Sequence, residues 1–202
     1  MANNVSDDIA VITTQELKDK LGITGSAEDL ELRRATAIAT YALEAKCNGT
    51  VFVRRSFTED YGGGQVPGRR GGAKRIHLHH APIVSVTSIT DDDSNTVAST
   101  DYTIVSEQGY LEHDSIWPSP VGRWTIIYTA GVFADTDDVS WNIKDVARGL
   151  AVRIYKDKGD AVKSRSRSGR AGSASVTYLD PGRLTTTEME ILAAEGYIRR
   201  WV

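Results

Sequence analysis

Trp124-Thr-Ile-Ile-Tyr-Thr-Ala-Gly131, followed ten residues later by Trp141-Asn-Ile-Lys-Asp-Val-Ala-Arg-Gly-Leu-Ala-Val-Arg-Ile-Tyr155, decides the fold class of this chain. The first stretch is rich in β-formers and closes on glycine, as a strand ending in a turn does. In the second, Ile143, Val146, Ala147, Leu150, Ala151, Ile154 and Tyr155 recur at helical spacing and make a continuous apolar stripe. Lys144, Asp145, Arg148 and Lys156 fall on other faces, Ser140 stands where an N-cap belongs, and Gly159 supplies a stop. Ile143, Val146, Leu150 and Ile154 are the expected core of this helix. Strand followed by helix, without the regular βαβ alternation of a parallel sheet, predicts an α+β protein.

Working back toward the N-terminus, 50–131 reads as a run of short strands. Val51–Phe57 is rich in β-formers, and Arg75–His79 places Ile76 and Leu78 on one face with His77 and His79 on the other. Ile83–Ile89 puts Ile83, Ser85, Thr87 and Ile89 on one side. Asp91-Asp-Asp-Ser-Asn95 is a polar hairpin tip, and Tyr102–Val105 and Gly109–Glu112 follow. The spacing predicts a small antiparallel sheet, sandwich or barrel. Before it, Thr14–Leu21 reads as a short helix ended by Gly22. A second helix is expected from Ser26 to about Cys47, with Ile38, Tyr41, Ala42 and Ala45 at helical spacing.

Beyond Gly159 the composition changes. Lys163-Ser-Arg-Ser-Arg-Ser-Gly-Arg-Ala-Gly172 has almost no apolar residue and is expected to be disordered in the free chain. Thr187–Glu190 reads as a capping box opening a short last helix, and the tail ends on Tyr197, Ile198 and Trp201. The predicted organisation is a flexible N-terminus (1–12), a small helical bundle (13–49 plus 140–159), an inserted antiparallel β-sheet or sandwich (50–131), and an extended C-terminal arm with a short helix (160–202). The arm is expected to become ordered only against a neighbouring subunit.

The 202 residues carry a net charge of −3, which argues against a protein that coats nucleic acid over its whole surface. The single cysteine, Cys47, cannot form an intramolecular disulfide and suits a reducing compartment. The first residues lack a basic, apolar leader pattern and no apolar run is long enough to span a bilayer, so a soluble chain made inside the cell is expected. Catalytic, cofactor-binding and metal-ligating residues are not expected. His77, His79 and His80 cluster without a CxxC or HExxH companion, and the Asp91–Asp93 run lacks the glycine and glutamate of a calcium loop. The glycine-rich loop 62–75 lacks the Gly-Lys-Ser/Thr ending of a phosphate loop.

In order, Thr14–Ile23, the Ala-rich helix ending Glu44-Ala-Lys-Cys47, Ala81–Ile89, Trp117-Pro118, Ile126–Gly131 and Ile143–Tyr155 resemble the head–tail connector, or adaptor, proteins of tailed bacteriophages. The resemblance covers roughly 12–160; loop 62–75 and the arm after Gly159 depart from the shorter family pattern. It implies a non-enzymatic head-completion protein of the virion, assembled in the host cytoplasm. Such a protein is monomeric when free and forms a homo-oligomeric, typically twelve-fold ring that extends the DNA channel. Its implied partners are the portal protein, a tail or stopper protein, and DNA passing without sequence-specific binding; no membrane or cofactor is involved. Arg165, Arg167, Arg170, Tyr178, Leu179, Tyr197 and Trp201 are the expected portal- or neighbour-docking residues. The alternative is a DNA-binding or packaging accessory protein using the basic loops 62–75 and 163–183.

Overall fold

The computed structural model describes residues 10–62, 74–117, 123–157 and 183–198. Its helices are α1 (Thr14–Leu21), α2 (Asp29–Lys46), α3 (Trp141–Asp157) and α4 (Thr186–Ala194). Its strands are β1 (Arg55–Gly62), β2 (Arg75–His77), β3 (Ile83–Asp91), β4 (Tyr102–Val105), β5 (Tyr110–His113) and β6 (Arg123–Ala130). The fold is α+β. Two compact units divide it: Met1–Asn48 with Thr136–Val202, and Gly49–Asp135.

In the helical unit α3 packs against α1, α2 and α4. Ile143, Val146, Ala147, Leu150 and Ala151 are buried as the apolar stripe requires, whereas Ile154 is only half-buried one turn further on. α2 begins at Asp29 rather than Ser26, and the face it buries differs from the expected one. Leu32, Ala35, Thr36, Ala39, Thr40 and Leu43 point inward, while Ile38, Tyr41 and Ala45 are exposed. Alanine and threonine populate several faces of this helix, so hydrophobicity alone selects none of them. The inward face sets Leu32 and Leu43 among the small Ala35, Thr36, Ala39 and Thr40, which let two helix backbones approach closely.

The flexibility expected over 1–12 does not extend to Ala10–Ile12. Ala10, Val11 and Ile12 are buried, Val11 N donates to Thr40 Oγ1 at 3.1 Å, and Thr136 Oγ1 donates to Ala10 O at 2.7 Å. The arm expected over 160–202 needs a similar correction at its far end. α4 packs on α3 of its own chain, with Leu184 and Leu192 buried. Its capping box is Thr185 with Glu188, two residues ahead of the expected Thr187–Glu190 pair. Ser140 precedes α3 but does not cap it through its side chain. Its carbonyl accepts from Lys144 N at 3.0 Å, and its buried hydroxyl finds no partner among the described residues.

The β unit holds two three-stranded antiparallel sheets, ordered β1-β6-β3 and β2-β5-β4. β6 is the central strand of the first, and Trp124, Ile126, Tyr128 and Ala130 alternate into its core. β1 starts at Arg55, later than expected, because Val51–Val53 form a buried lead-in with isolated bridges at Thr50–Ala81 and Val53–Phe133. In β3 only Ile83 and Ile89 of the expected face are buried. Register shifts after Ile83 and Val86 break the alternation and turn Ser85 and Thr87 outward. Gly131 ends β6 at φ +144°, and a Cβ there would lie 2.5 Å from Arg54 Cα.

Candidate functional site

Two flanking helices of the helical unit are fastened to α3 by the same device. Thr13-x-x-Glu16 and Thr185-x-x-Glu188 are capping boxes, in which the threonine hydroxyl accepts from the glutamate N–H and the glutamate carboxylate accepts from the threonine N–H. In each box the carboxylate also takes a cation from α3. Glu16 Oε2 accepts from Thr13 N at 2.8 Å, while its Oε1 meets Lys144 Nζ at 3.1 Å and Arg148 Nη2 at 3.9 Å. Glu188 receives both arms of Arg153, at 2.8 and 2.9 Å, and its Oε2 also accepts from Thr185 N at 2.7 Å. Gly149 makes room for it, since a Cβ there would stand 3.0 Å from Glu188 Oε1. Burial pushes the Glu188 carboxyl upward, but Arg153 and the Thr185 backbone outweigh it and hold it below the usual glutamate value.

Lys144 and Arg148 were expected on faces of α3 other than the apolar stripe, and they too are buried. Arg148 also lies 3.5 Å from Asp145, and the Trp141 ring covers its guanidinium at 4.7 Å. Trp141 itself is exposed, as are Leu30, Ile38 and Tyr41 on α2 and Met189 on α4.

The β unit has a polar centre of another kind. Arg55, Phe57, Glu59 and Tyr61 point to one face of β1. Glu59 accepts from the hydroxyls of Tyr61 and Tyr128, from His79 N at 3.2 Å, and pairs with His79 Nδ1 at 2.9 Å. Burial works to raise its carboxyl, yet the bonds from Tyr128, Tyr61 and His79 prevail and keep it below the ordinary value. Burial, with the neighbouring carboxylate, pushes both tyrosine hydroxyls up, so they remain donors. The three neighbouring histidines do not share one centre: His77 meets Tyr110, His79 meets Tyr61, and His80 stacks on Phe57 at 3.9 Å. Burial lowers the His80 pKa. Among the described residues no group of three His, Cys, Asp or Glu side chains could hold a metal. No described helix is long and apolar enough to cross a membrane.

Of the docking residues expected from sequence, Arg165, Arg167, Arg170, Tyr178, Leu179 and Trp201 lie outside the described residues, as does most of loop 62–75. Tyr197 is half-buried beyond α4, its N–H donating to Leu192 O at 2.9 Å. The structure instead brings together Glu16, Lys144, Arg148 and Trp141, and separately Glu188 with Arg153. The threonine–glutamate spacing at 13/16 and 185/188 was the available signal for both. What spacing could not reveal was the second use of each carboxylate, because the cations come from a helix more than a hundred residues away in one case.

No family model matches the sequence, and no curated protein matches it either. Solved structures do share the fold. A chain described as "Neck of native GTA particle computed with C12 symmetry" superposes with a TM-score of 0.58 at 20% identity, covering 94% of this chain and 89% of that one. A chain of the "Neck of empty GTA particle computed with C6 symmetry" gives 0.58 and 20%, covering 82% and 83%. A chain of the "Virion of native gene transfer agent (GTA) particle" gives 0.57 and 22%, covering 81% and 93%. At these identities the likeness is one of fold.

Proposed function

We propose that this protein is a structural subunit of the neck of a phage-like particle, where copies form a ring under the portal that extends the DNA channel and joins head to tail. The observation that carries this reading is the fold shared with a neck chain over 94% of the present chain. The ordered resemblance to head–tail connectors supports it independently. In this reading the protein is not an enzyme, and its polar centres serve architecture. Glu16 and Glu188 fix α1 and α4 to α3, and Glu59 is enclosed by tyrosines rather than held open for a substrate. The net charge of −3 suits a conduit, because each phosphate neutralised by a protein cation would add salt-dependent grip on passing DNA. The portal, a tail or stopper protein and neighbouring copies are the proposed partners. Arg165, Arg167, Arg170, Tyr178, Leu179, Tyr197 and Trp201 are the proposed contributors to portal or neighbour docking.

Electron microscopy of the full chain, alone and mixed with its cognate portal, tests the proposal. Rings seated coaxially on the portal are expected. A chain that neither oligomerises nor binds the portal, but shifts duplex DNA with steep salt dependence, would replace this reading with that of a DNA-binding accessory protein.

A further inference from the structure

The chain holds Asn3, Asn4, Asn48, Asn95 and Asn142, and of these only Asn48 is followed by glycine. That pairing is chemically reactive. A backbone amide nitrogen can attack the side-chain carbonyl of the asparagine before it, and glycine, with no Cβ, leaves the approach open. Folded structure prevents the attack by bonding the amide N–H and by holding the asparagine side chain in place. What surrounds residues 48 and 49 therefore decides the outcome.

Asn48 is exposed, follows the C-cap of α2 and has φ +57°; Gly49 comes next at φ +78°. Among the described residues the Asn48 side chain makes no hydrogen bond, and the Gly49 N–H finds no acceptor. The other two described asparagines are held. Asn95 Nδ2 donates to Asp91 Oδ2 at 2.9 Å, and the β-branched Thr96 follows it. Asn142 Nδ2 donates to Glu195 Oε1 at 2.6 Å, and the β-branched Ile143 follows it inside α3. Closing a ring on Asn48 requires rotation about its Cα–C bond, out of the left-handed region. A residue with a Cβ occupies that region at some cost, so its own preference does not resist the rotation.

We propose that Asn48–Gly49 is a site of spontaneous covalent modification in the folded protein. A bond forms between Gly49 N and Asn48 Cγ, the Cγ–Nδ2 bond breaks, and the Gly49 proton leaves with Nδ2 as ammonia. Water then opens the cyclic imide at either carbonyl, giving aspartate or isoaspartate. The net change is one water consumed and one ammonia released.

The position gives this chemistry a structural consequence. Cys47 N donates to Leu43 O at 3.0 Å and Val51 N to Ala81 O at 2.8 Å, so residues 48–50 form a short link tied at both ends. Isoaspartate lengthens that link by one main-chain carbon. Either product adds a carboxylate just beyond the C-terminal end of α2, where the macrodipole disfavours negative charge and Glu44 is already buried. The modified chain is therefore less stable than the fresh one, whether or not copies form a ring.

Peptide mass spectrometry of the full chain, incubated in mildly alkaline buffer made with heavy-oxygen water, tests the proposal. The peptide holding residue 48 should take up labelled oxygen and contain isoaspartate, while those holding Asn95 and Asn142 stay unchanged. The folded chain should react within about tenfold of its rate in denaturant, because no bonded structure has to open first. Reaction confined to the denatured chain, or aspartate formed without isoaspartate, would overturn the assignment. Asn48→Asp sets the charge without lengthening the link and should lower the melting temperature. A melting temperature equal to that of the wild type would overturn the expected loss of stability at the helix end.

Discussion

The helical unit and the β unit each take a glutamate out of water, and they satisfy it by different chemistry. Glu188 is neutralised by a guanidinium on another helix, in a bidentate pair. Glu59 keeps its charge among neutral hydroxyls and a histidine, all from the sheet and its adjoining turn. The first arrangement fastens separate elements together, so its loss should loosen helix packing. The second fills a gap on one face of a sheet whose backbone is already paired through Arg55–Ala130 and Ile83–Ala130. A missing partner should thus be felt more widely in the helices than in the strands.

The harshest way to break the comparison is to remove the core on which the helical clasps depend. Leu150 is fully buried on α3, and Leu150→Ala should destabilise the helical unit by about 2–5 kcal/mol, measured by denaturant unfolding. An unchanged midpoint would mean that α3 does not organise its neighbours. Next comes the clasp itself. Arg153→Leu strands the Glu188 carboxylate with little more than its capping bond from Thr185 N, and should cost about 1–3 kcal/mol. Arg153→Leu combined with Glu188→Leu should recover part of that loss, since removing both partners leaves no buried charge unpaired.

Acid sharpens the contrast further. Both Glu59 and Glu188 have folded-state values below the ordinary glutamate value of 4.5. Each therefore stabilises the fold fully above pH 4.5, and that contribution disappears as pH falls through the depressed folded value. Glu59→Gln removes the titrating group from the β unit and should flatten its share of the acid limb, at a cost of about 1 kcal/mol near neutrality from an amide hydrogen facing a donor. The measurement is melting temperature against pH for both proteins. A parallel acid limb in the variant would show that Glu59 does not contribute.

The sequence made the helical periodicity of α3 and the alternation of β6 legible, because in both the large apolar residues fall on a single face. It failed where size or long-range pairing decided the outcome. In α2, alanine and threonine on several faces hid the choice, and the large Ile38 and Tyr41 were left outside. In β3, two register shifts moved Ser85 and Thr87 outward with no glycine or proline inside the strand to announce them. Lys144 and Arg148 fell off the apolar stripe, so the spacing gave no sign that they are buried. Their burial depends on Glu16, which is distant in the chain and visible only once α1 is folded against α3. Tyr197 and the arm presented the reverse difficulty. Apolar residues near the terminus suggested docking on a neighbour, yet Leu184 and Leu192 just before them pack within the same chain.

The gentlest test uses Cys47, which caps the C-terminal end of α2 and is buried. Burial, assisted by nearby Glu44, raises its thiol to about 12, so almost no thiolate exists at neutral pH in the folded chain. Labelling by a thiol reagent must then await an opening that exposes residue 47, and its rate follows the population of the open form. Cys47 belongs to the helical unit, so Leu150→Ala should accelerate labelling by roughly 30-fold or more, the ratio that corresponds to at least about 2 kcal/mol. Arg153→Leu should accelerate it less, because it removes an ion pair to α4 and leaves the buried side chains of the stripe in place. Glu59→Gln, confined to the β unit, should leave the rate unchanged. Equal acceleration by Glu59→Gln and Leu150→Ala would show that the helices and strands open as one cooperative body, and the distinction between fastening helices and filling a sheet face would no longer predict stability.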